Sequence, residues 1–387
     1  MVLASLELRK FVAPEFVIGS DARRLTGRYA KNLGADNVLV VTGPNIIKAG
    51  WVRDVTESLD AEGIRHTVFS DVTPNPRDFE VMNGAELYTR SACDAIVAIG
   101  GGSPIDCAKG IGIVISNKKH ILEFEGVDTV PIPAPPLICI PTTAGTGADV
   151  SQFAIITDTA RRVKIAIISK KIVPDIALVD PVPLTSLTPA LTAQTGMDAI
   201  THSIEAYVSN ASSPVTDTLA LESIRQMSTY LLKAQKNPDN VECRNQTLLG
   251  SLLGGLAFSN ASLGAVHAMA HSLGGFCDLP HGACNAILLG PVIDFNFEAC
   301  PERYEAIGKL LNVNSTGLAQ GEAKHALVSA ITALRGMLGD RETLSDLGVS
   351  KKDIPELAKK AKRDPCLATN PRKMNLMDIE RIYEHAF

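Results

Sequence analysis

The alternation of short β-branched runs with amphipathic stretches in the first half of the chain constrains the fold most strongly. Residues 37–43, 65–72, 95–103 and 136–143 are predicted to be buried strands, because each run is short and rich in Val, Ile or other apolar residues. Helical stretches are predicted near residues 45–62 and 78–91, between the first three strands, and near residues 104–115, after the third strand. Strands that alternate with helices form a parallel sheet covered on both faces, so an α/β domain is predicted.

The pattern changes after the sequence IALVDP at residues 176–181. Long helical segments follow with few strand-like runs, and the first begins at Thr188 and Pro189, a favourable N-cap and first helical residue. With 387 residues the chain is long enough for two average domains. We therefore predict a boundary near residue 184, between an α/β domain of residues 1–184 and an all-helical domain of residues 185–387.

Composition favours a globular protein that acts on small molecules. Hydrophobic residues make up 45% of the chain and charged residues 20%, with a net charge of −5 spread along the sequence, so neither a nucleic-acid nor a membrane partner is expected. The N-terminal stretch carries Glu7, Arg9 and Lys10, and no apolar run reaches the length of a membrane span. We expect no signal peptide and a cytoplasmic location. The eight scattered cysteines form no C-x-x-C pair, so no disulfide framework is expected.

Two loops rich in Gly and Thr follow predicted strands at one edge of the sheet, where doubly wound domains bind their ligands. The first loop leads into a helix opened by Pro104 and consists of Gly100, Gly101, Gly102 and Ser103. Its backbone N–H groups can approach a phosphate closely, although a tight turn alone explains such a loop equally well. The second loop, PTTAGTGADVS, offers the hydroxyls of Thr142, Thr143 and Thr146. The two loops together favour a nucleotide site.

Histidines and a carboxylate recur with helical spacing in the second half. Asp198 and His202 lie four residues apart in GMDAITHSIEAY, so both occupy one face of a predicted helix. His267 and His271 have the same spacing on an apolar stretch that is predicted to end at residues 274–275. The next segment opens with a further histidine, His281.

A carboxylate and several imidazoles that converge on one point suit a borderline divalent ion such as Fe²⁺ or Zn²⁺. Any one of these histidines is explained more simply as a hydrogen-bonded core residue. Together, however, the set favours a metal site formed by Asp198, His202, His267 and His281.

Five motifs in this order resemble the iron-containing (group III) alcohol dehydrogenases: GGGSPIDCAKG, PTTAGTGADVS, GMDAITHSIEAY, HAMAHSLGGFCDLPHG and DPCLATNPR. The resemblance covers nearly the whole chain. It implies a Rossmann-like dinucleotide-binding α/β domain followed by an all-helical domain, the dehydroquinate synthase-like/iron alcohol dehydrogenase fold, with the active site in the cleft between them. It also implies NAD(P)(H)-dependent hydride transfer to or from a short-chain alcohol or aldehyde, and a homodimer or larger homo-oligomer.

The resemblance also implies roles for individual residues. In that family the metal is held by the residues that match Asp198, His202, His267 and His281, so Fe²⁺, or else Zn²⁺ or another divalent cation, is expected here. His271 matches a histidine that lines the site without binding the metal, and we expect it to handle a proton. Lys164 matches a lysine that approaches the nicotinamide ribose, although a solvated lysine at a strand edge is the alternative. The remaining positions expected to contact the cofactor are Gly100, Gly101, Gly102, Ser103, Asp106, Thr142, Thr143 and Thr146.

One position departs from the family pattern. After the strand that corresponds to NVLVVT, many members carry an acidic residue that accepts hydrogen bonds from the adenosine ribose, but this chain has Gly43. A carboxylate there would repel a 2′-phosphate, so its absence removes one discrimination against NADP. NAD is expected as the cofactor, with NADP tolerated, and Gly43 is included among the cofactor-binding positions. The nearby cations are Lys48 and Arg53.

Three alternatives stay open at this point. The first is a glycerol-dehydrogenase-like zinc enzyme that acts on polyols. The second is a dehydroquinate-synthase-like lyase, which would need many basic residues around a phosphorylated substrate, whereas the helices that carry Asp198 and His267 are almost free of Lys and Arg. The third is a metal- or nucleotide-binding protein without catalytic activity.

Overall fold

The computed structural model describes residues 10–387. Its strands are β1 (Glu15–Ile18), β2 (Asn37–Val41), β3 (Arg65–Phe69), β4 (Ala95–Gly100), β5 (Gly126–Val127), β6 (Leu137–Pro141), β7 (Phe153–Asp158), β8 (Val163–Ile168) and β9 (Ile176–Val179). Its α-helices are α1 (Thr26–Asn32), α2 (Pro44–Lys48), α3 (Trp51–Ala61), α4 (Asp78–Arg90), α5 (Gly102–Asn117), α6 (Pro189–Val208), α7 (Pro214–Lys236), α8 (Val241–Ala261), α9 (Ala265–Cys277), α10 (His281–Asn296), α11 (Pro301–Leu310), α12 (Gln320–Met337), α13 (Ile354–Arg363) and α14 (Leu376–His385).

A parallel six-stranded sheet, in the order β1-β9-β6-β4-β2-β3, forms the centre of the N-terminal part. Strand β2 is buried along its whole length because helices cover both faces of the sheet. Leu39 and Val41 pack on the side of α4 and α5, whereas Val38 and Val40 pack on the side of α1 and α3. This double coverage explains why the strands are continuous apolar runs, and it confirms the predicted α/β sheet.

The strand order reverses beside β4. From β2 the chain passes to β3 at one edge and then returns to β4 on the other side of β2. Ligands of doubly wound sheets bind where the order reverses, outside the carboxyl ends of the strands. The loops that leave β2 at Gly43 and β4 at Gly101 both lie at this edge.

A second, three-stranded sheet in the order β5-β8-β7 lies beside the first, and the strand prediction missed it. Strands β7 and β8 form an antiparallel hairpin in which Thr157 pairs with Lys164. The hairpin packs against α5 on one side and against α9 on the other. It therefore connects the α/β part to the helices and places Lys164 between them.

The C-terminal part is helical from α6 onward, as predicted. Thr188 caps α6, since its hydroxyl accepts a hydrogen bond from the Leu191 N–H at 3.2 Å, and Pro189 opens the helix. Nearly every residue of α6 from Gly196 to Val208 is buried, because α7, α8 and α10 surround it. The predicted boundary near residue 184 falls between β9 and α6 and stays a prediction.

Three predicted element ends differ from the structure. The helical stretch 45–62 divides into α2 and α3 because Gly50 adopts a left-handed conformation, with φ of 86°. Helix α5 begins at Gly102, two residues before the predicted Pro104. Helix α9 continues past residues 274–275 to Cys277 and ends at Asp278, which is left-handed. The first nine residues, on which part of the signal-peptide expectation falls, lie outside the described residues.

Gly274 and Gly275 lie inside α9 because the helix touches the β8 backbone there. A Cβ atom on Gly275 would stand 2.5 Å from the Lys164 backbone nitrogen and 2.7 Å from the Val163 Cα. A Cβ atom on Gly274 would stand 2.8 Å from the Lys164 Nζ. The two glycines therefore set how closely the helix with His267 and His271 approaches the strand with Lys164.

In residues 10–387, no single helix has the length and apolar composition needed to cross a membrane. One consecutive pair, Val241–Ala261 and Ala265–Cys277, meets those criteria jointly with a bend of 99°.

We predict that Gly275→Ala lowers the free energy of unfolding by about 1–3 kcal/mol, because backbone atoms of β8 must move to accept the methyl group. Gly336→Ala in α12 is the matched control, since its new Cβ would approach no neighbour closer than 3.9 Å. The control should gain roughly 0.5–1 kcal/mol from the higher helix propensity of alanine. Urea denaturation measures both changes, and a Gly275 variant as stable as the control would refute the close contact.

Candidate active site

Three helices bring the predicted metal ligands together. Helix α6 carries Asp198 and His202 on one face, α9 carries His267 in its first turn, and α10 begins at His281. The Asp198 Oδ1 lies 3.8 Å from the His202 Nε2, 3.7 Å from the His267 Nε2 and 3.6 Å from the His281 Nε2. One ligand atom from each of the four residues lies within 4.8 Å of all the others. The four side chains thus form one compact cluster of three imidazole nitrogens and a carboxylate oxygen.

The loop that follows β6 holds the His202 ring nitrogen that faces away from Asp198. The His202 Nδ1 lies 3.2 Å from the Gly145 carbonyl oxygen, a distance that suits a hydrogen bond donated by the ring and leaves Nε2 facing Asp198. The loop reaches this position because Gly145 has no side chain. A Cβ atom there would stand 2.7 Å from the Thr195 Cβ and 2.8 Å from the Thr195 carbonyl oxygen on α6.

Glu205, which the sequence analysis missed, holds His267. Its carboxylate lies 2.6 Å from the His267 Nδ1 and accepts backbone N–H groups from Gly264 at 2.9 Å and Val266 at 2.6 Å. One carboxylate therefore caps the N-terminus of α9 and orients the first histidine on that helix. The sequence contained one indication of this role: Glu205 follows Asp198 by seven residues, which places both on the same helical face.

Asn285, also missed, lies at the centre of the cluster. The side chain is fully buried, and its Nδ2 donates to the Asp198 Oδ1 at 2.6 Å. The same nitrogen lies 3.1 Å from the His267 Nε2 and 3.2 Å from the His281 Nε2. Asn285 follows His281 by one helical turn, so α10 supplies both a cluster member and a group that orients Asp198.

Burial and the attraction between Asp198 and the imidazoles shift the pKa values of the cluster residues in different directions. Burial raises the pKa of Asp198, but the facing imidazoles of His202, His281 and His267 outweigh burial and hold that pKa well below its usual range. Burial lowers the pKa of His202 to about 4 and that of His281 well below its ordinary value. Burial also opposes protonation of His267, but hydrogen bonds with Asp198 and Glu205 outweigh it and raise the pKa to about 9. At neutral pH, His267 therefore carries the proton that balances Asp198.

His271 lies one turn beyond His267 and faces the same cleft. Its Nδ1 lies 2.8 Å from the Asp364 Oδ2, and the two rings of His271 and His281 stack with centroids 5.4 Å apart. Burial raises the pKa of Asp364, but the contact with His271 outweighs it, and the pKa is lowered overall. The sequence analysis included Asp364 in the DPCLATNPR motif without a role, and the structure shows that it orients His271.

The two predicted cofactor-binding loops lie against each other at the edge of the sheet where the strand order reverses. A Cβ atom on Gly101 would stand 3.2 Å from the Thr143 Cγ2, and one on Gly102 would stand 2.8 Å from the Thr146 Cγ2. The Thr142 N–H donates to the Gly100 carbonyl oxygen at 2.9 Å, while its buried hydroxyl has no partner in the described part of the chain. The glycines therefore let the two loops pack closely at the N-terminus of α5, where Gly102 and Ser103 line a cavity.

One cavity of about 140 Å³ contains part of both predicted sites. The cluster members and His271 line it. The predicted cofactor residues that line it are Gly102, Ser103, Asp106, Thr146 and Lys164. The predicted positions outside its lining are Gly43, Gly100, Gly101, Thr142 and Thr143.

The rest of the cavity wall is largely apolar and was not predicted. Phe153, Ile155, Phe258 and Leu263 line it, and the Phe258 ring stacks on His202 with centroids 4.4 Å apart. Phe153 meets Phe258 edge to face at 5.5 Å. These side chains surround the polar cluster with a surface that excludes water.

A buried lysine holds the wall of this cavity in place. The Lys109 Nζ donates to the backbone carbonyl oxygens of Ser151 and Phe153, each at 2.8 Å. Burial lowers the pKa of Lys109 and of Lys164, and it raises the pKa of Asp106 to about 7. Lys109 was unassigned in the sequence analysis although it lies in the GGGSPIDCAKG motif.

Gly43 is the N-cap of α2 at the end of β2 and has an extended conformation, with φ of −115°. A Cβ atom there would meet only the Val72 carbonyl oxygen, at 3.2 Å. Of the two nearby cations, Arg53 pairs with Glu57 at 2.6 Å. The backbone conformation at position 43 therefore suits any residue, but the Val72 carbonyl oxygen must shift slightly to accept a Cβ atom.

Comparisons with known proteins agree with this architecture. Residues 13–181 match the family described as Iron-containing alcohol dehydrogenase, and residues 192–387 match the Fe-containing alcohol dehydrogenase family, C-terminal. The chain is 40% identical to 1,3-propanediol dehydrogenase of Klebsiella pneumoniae over 371 residues, which cover 95% of this chain and 96% of that protein. It is 37% identical to the NAD-dependent methanol dehydrogenase of Bacillus methanolicus over 376 residues, which cover 97% of this chain and 99% of that protein. A crystal structure of 1,3-propanediol oxidoreductase superposes with a TM-score of 0.95 at 39% identity, covering 98% of this chain and 100% of that one.

The fold and these matches define an oxidoreductase of alcohols or aldehydes, which acts on small molecules. The chain belongs to the iron-containing alcohol dehydrogenase family. The predicted family and fold class are confirmed, and the family implies a divalent metal ion and NAD(H).

We predict that His267→Ala abolishes retention of a divalent ion, because it removes one imidazole and leaves Asp198 and Glu205 without their shared partner. His271→Ala should retain the ion and instead change activity or its pH dependence. His325→Ala, at an exposed position on α12, is the control and should change neither. Elemental analysis after loading with Fe²⁺ or Zn²⁺ and gel filtration measures retention. Full occupancy in the His267 variant, or an empty site in the His271 variant, would show that the roles are divided wrongly.

We predict that Asn285→Leu lowers metal affinity by about 10–100-fold, because the isosteric side chain cannot hold the Asp198 carboxylate. Gln226→Leu is the control: this buried amide on α7 bonds to Glu222 at 2.9 Å and lies outside the cluster. Competition with a chromophoric chelator measures the affinities. Equal affinities in the two variants would mean that Asn285 does not orient the carboxylate.

Proposed function

We propose that this protein is a metal-dependent alcohol dehydrogenase and aldehyde reductase that transfers a hydride between NAD(P)(H) and a short-chain alcohol or aldehyde. The observation that carries the proposal is that one small cavity contains both the Asp–His cluster and the open N-terminus of α5. Hydride transfer requires the nicotinamide C4 and the substrate carbon to be in contact, and a cavity lined by both features allows this.

The cluster fits a divalent ion by its donor set. Three imidazole nitrogens and one carboxylate oxygen suit Fe²⁺ or Zn²⁺. Gly145 and Glu205 fix the rings of His202 and His267 through their second nitrogens, as metal sites require. Asp198, His202, His267 and His281 would hold the ion, which would polarise the substrate oxygen. The choice between iron and zinc is part of the proposal and awaits metal analysis.

The loops fit a dinucleotide. The glycines of the first loop leave backbone N–H groups and the start of α5 accessible, and the unpartnered Thr142 hydroxyl offers a further polar contact. In this proposal Gly100, Gly101, Gly102 and Ser103 bind the pyrophosphate. Thr142, Thr143 and Thr146 lie alongside it, and Asp106 and Lys164 contact the nicotinamide end. The nicotinamide supplies the hydride chemistry.

The chain's own residues position the substrate and move its proton. Asp364 fixes His271 through Nδ1, so the ring can accept or release a proton at Nε2 towards the cleft. Phe153 and Phe258 exclude water from the reacting atoms and limit substrate length. A cavity of about 140 Å³ favours a short-chain substrate over a large one.

The dehydrogenase proposal has more support than the lyase alternative. Among residues 10–387, Lys164 is the one lysine or arginine that lines the cavity beside the Asp–His cluster, whereas a lyase acting on a phosphorylated substrate would need several such residues there. The family matches also favour an oxidoreductase. The expected homo-oligomer and the expected cytoplasmic location stay predictions.

The test loads the purified protein anaerobically with Fe²⁺ or Zn²⁺ and follows nicotinamide absorbance with two- to four-carbon aldehydes and alcohols. The proposal predicts turnover that depends on the added metal and disappears in the His267→Ala variant. NAD(H) and NADP(H) binding is measured separately by calorimetry. Cofactor binding without turnover on any substrate, or turnover without metal, would contradict it.

We predict that Gly43→Asp shifts cofactor preference towards NAD by about 1–3 kcal/mol, because the carboxylate accepts ribose hydrogen bonds and repels a 2′-phosphate. Gly43→Asn is the matched control, since it provides a similar side chain and helix cap without the charge. The ratio of kcat/KM for NADH to that for NADPH measures the shift. If both variants leave the ratio unchanged, the 2′ position lies elsewhere.

A further inference from the structure

A second cavity, of about 540 Å³, adjoins the first one at Lys164 and His271, which line both. One wall comes from the three-stranded sheet, at Gly126 and Ala166. The opposite wall comes from α9 and α13. The two cavities therefore meet at these two side chains.

The second cavity is more cationic than the first. Its cationic side chains are Arg161, Lys164, Lys359, Lys360 and Arg363. Each of its three acidic side chains already contacts a cation or an imidazole: Glu125 with Arg161 at 2.7 Å, Glu356 with Lys360 at 3.7 Å and Asp364 with His271 at 2.8 Å. The acids are thus occupied, and positive charge is left over.

The surplus charge lies on one face of α13. Lys359 and Arg363 are four residues apart, both are exposed, and both line the cavity. Neither forms an ion pair with any residue of the range 10–387. Two unpaired cations beside a cavity attract an anion more strongly than either does alone.

We propose that this cavity binds an anionic group at the far end of the substrate, so that the preferred substrates are short aldehydes or alcohols that carry a terminal carboxylate, sulfonate or phosphonate. The inference rests on the proposed function, because it places the reacting carbon in the first cavity. The anion then lies in the second cavity, beyond Lys164 and His271. No covalent step is added to the reaction.

The position of the two cavities sets a minimum substrate length. An anion attached directly to the carbonyl carbon stays beside the Asp–His cluster in the first cavity, which Lys359 and Arg363 do not line. A spacer of one or more methylene groups is needed to carry the anion past Lys164 and His271 to α13. Anionic substrates should therefore gain an advantage from the α13 cations only when such a spacer is present.

The experiment compares matched substrate pairs with the metal-loaded enzyme. The first pair is 4-oxobutanoate and its methyl ester, which share the aldehyde and the spacer but differ in charge. The second pair is glyoxylate and its methyl ester, which have no spacer. We expect kcat/KM for 4-oxobutanoate to exceed that of its methyl ester by about tenfold or more and to lose this advantage as salt is added. The ratio of the glyoxylate pair should not depend on Lys359 and Arg363.

Variants test whether the α13 cations cause the preference. Lys359→Gln combined with Arg363→Gln should lower the ratio of kcat/KM for the first pair by roughly threefold for each charge removed, the scale of an exposed ion pair, so that a tenfold preference for the anion is lost. Lys236→Gln combined with Lys373→Gln removes the same charge at exposed positions outside the cavity and should leave the ratio within about twofold.

The outcomes separate this inference from the proposed function. If the esters are reduced and 4-oxobutanoate is no better, the anion site is refuted while the dehydrogenase proposal stands. The anion site is likewise refuted if the variant with Lys359→Gln and Arg363→Gln keeps the original ratio of kcat/KM for 4-oxobutanoate to that for its methyl ester. If the metal-loaded enzyme reduces neither these aldehydes nor any of the two- to four-carbon aldehydes of the earlier test, the proposed function itself is overturned. If it reduces only uncharged aldehydes of that test, the anion site alone is refuted.

Discussion

The buried Asp198 carboxylate is the group on which the rest of the site depends. A carboxylate in an apolar interior is costly unless opposite charge and hydrogen bonds surround it. Here one proton on His267 and the amide of Asn285 provide both. The imidazoles that compensate the Asp198 charge can also bind a cation. The fold therefore keeps a metal-binding geometry without leaving an unpaired charge in its interior.

The convergence of three helices on this carboxylate requires backbones to approach one another closely. Gly145 lets a sheet loop reach α6, and Gly275 lets α9 touch β8. Gly254 serves the same purpose on α8, since a Cβ atom there would stand 2.6 Å from the Ser203 Oγ on α6. The glycines that look unremarkable in the sequence thus fix where His202, His267 and Lys164 lie relative to one another.

Much of this architecture could be predicted from the sequence. The apolar runs predicted the parallel sheet because both of its faces are covered, and the four-residue spacing of Asp198 and His202 predicted a shared helical face. The β7–β8 hairpin was missed although each strand has six residues, because the predicted pattern was one of strands separated by helices. Residues 159–162 join these two strands directly, and their partner β5 has only two residues, Gly126 and Val127.

The groups that support the metal ligands were hidden for a different reason. Glu205 and Asp364 look like ordinary acidic residues, and their functional contacts span 62 and 93 residues of sequence. Asn285 is an amide inside an apolar helix, where a core hydrogen bond is the simplest explanation. Long-range pairing of this kind depends on how helices pack, which neither periodicity nor spacing encodes.

The most direct test of the account is a calorimetric titration of the metal-free protein with Zn²⁺ in buffers of different ionisation enthalpy. Because the pKa of His267 is raised to about 9 whereas those of His202 and His281 are lowered, His267 alone holds a proton at pH 7. The account predicts one ion per chain, bound with release of the His267 proton at pH 7. Binding of no ion, or stoichiometric binding without proton release at pH 7, would contradict it.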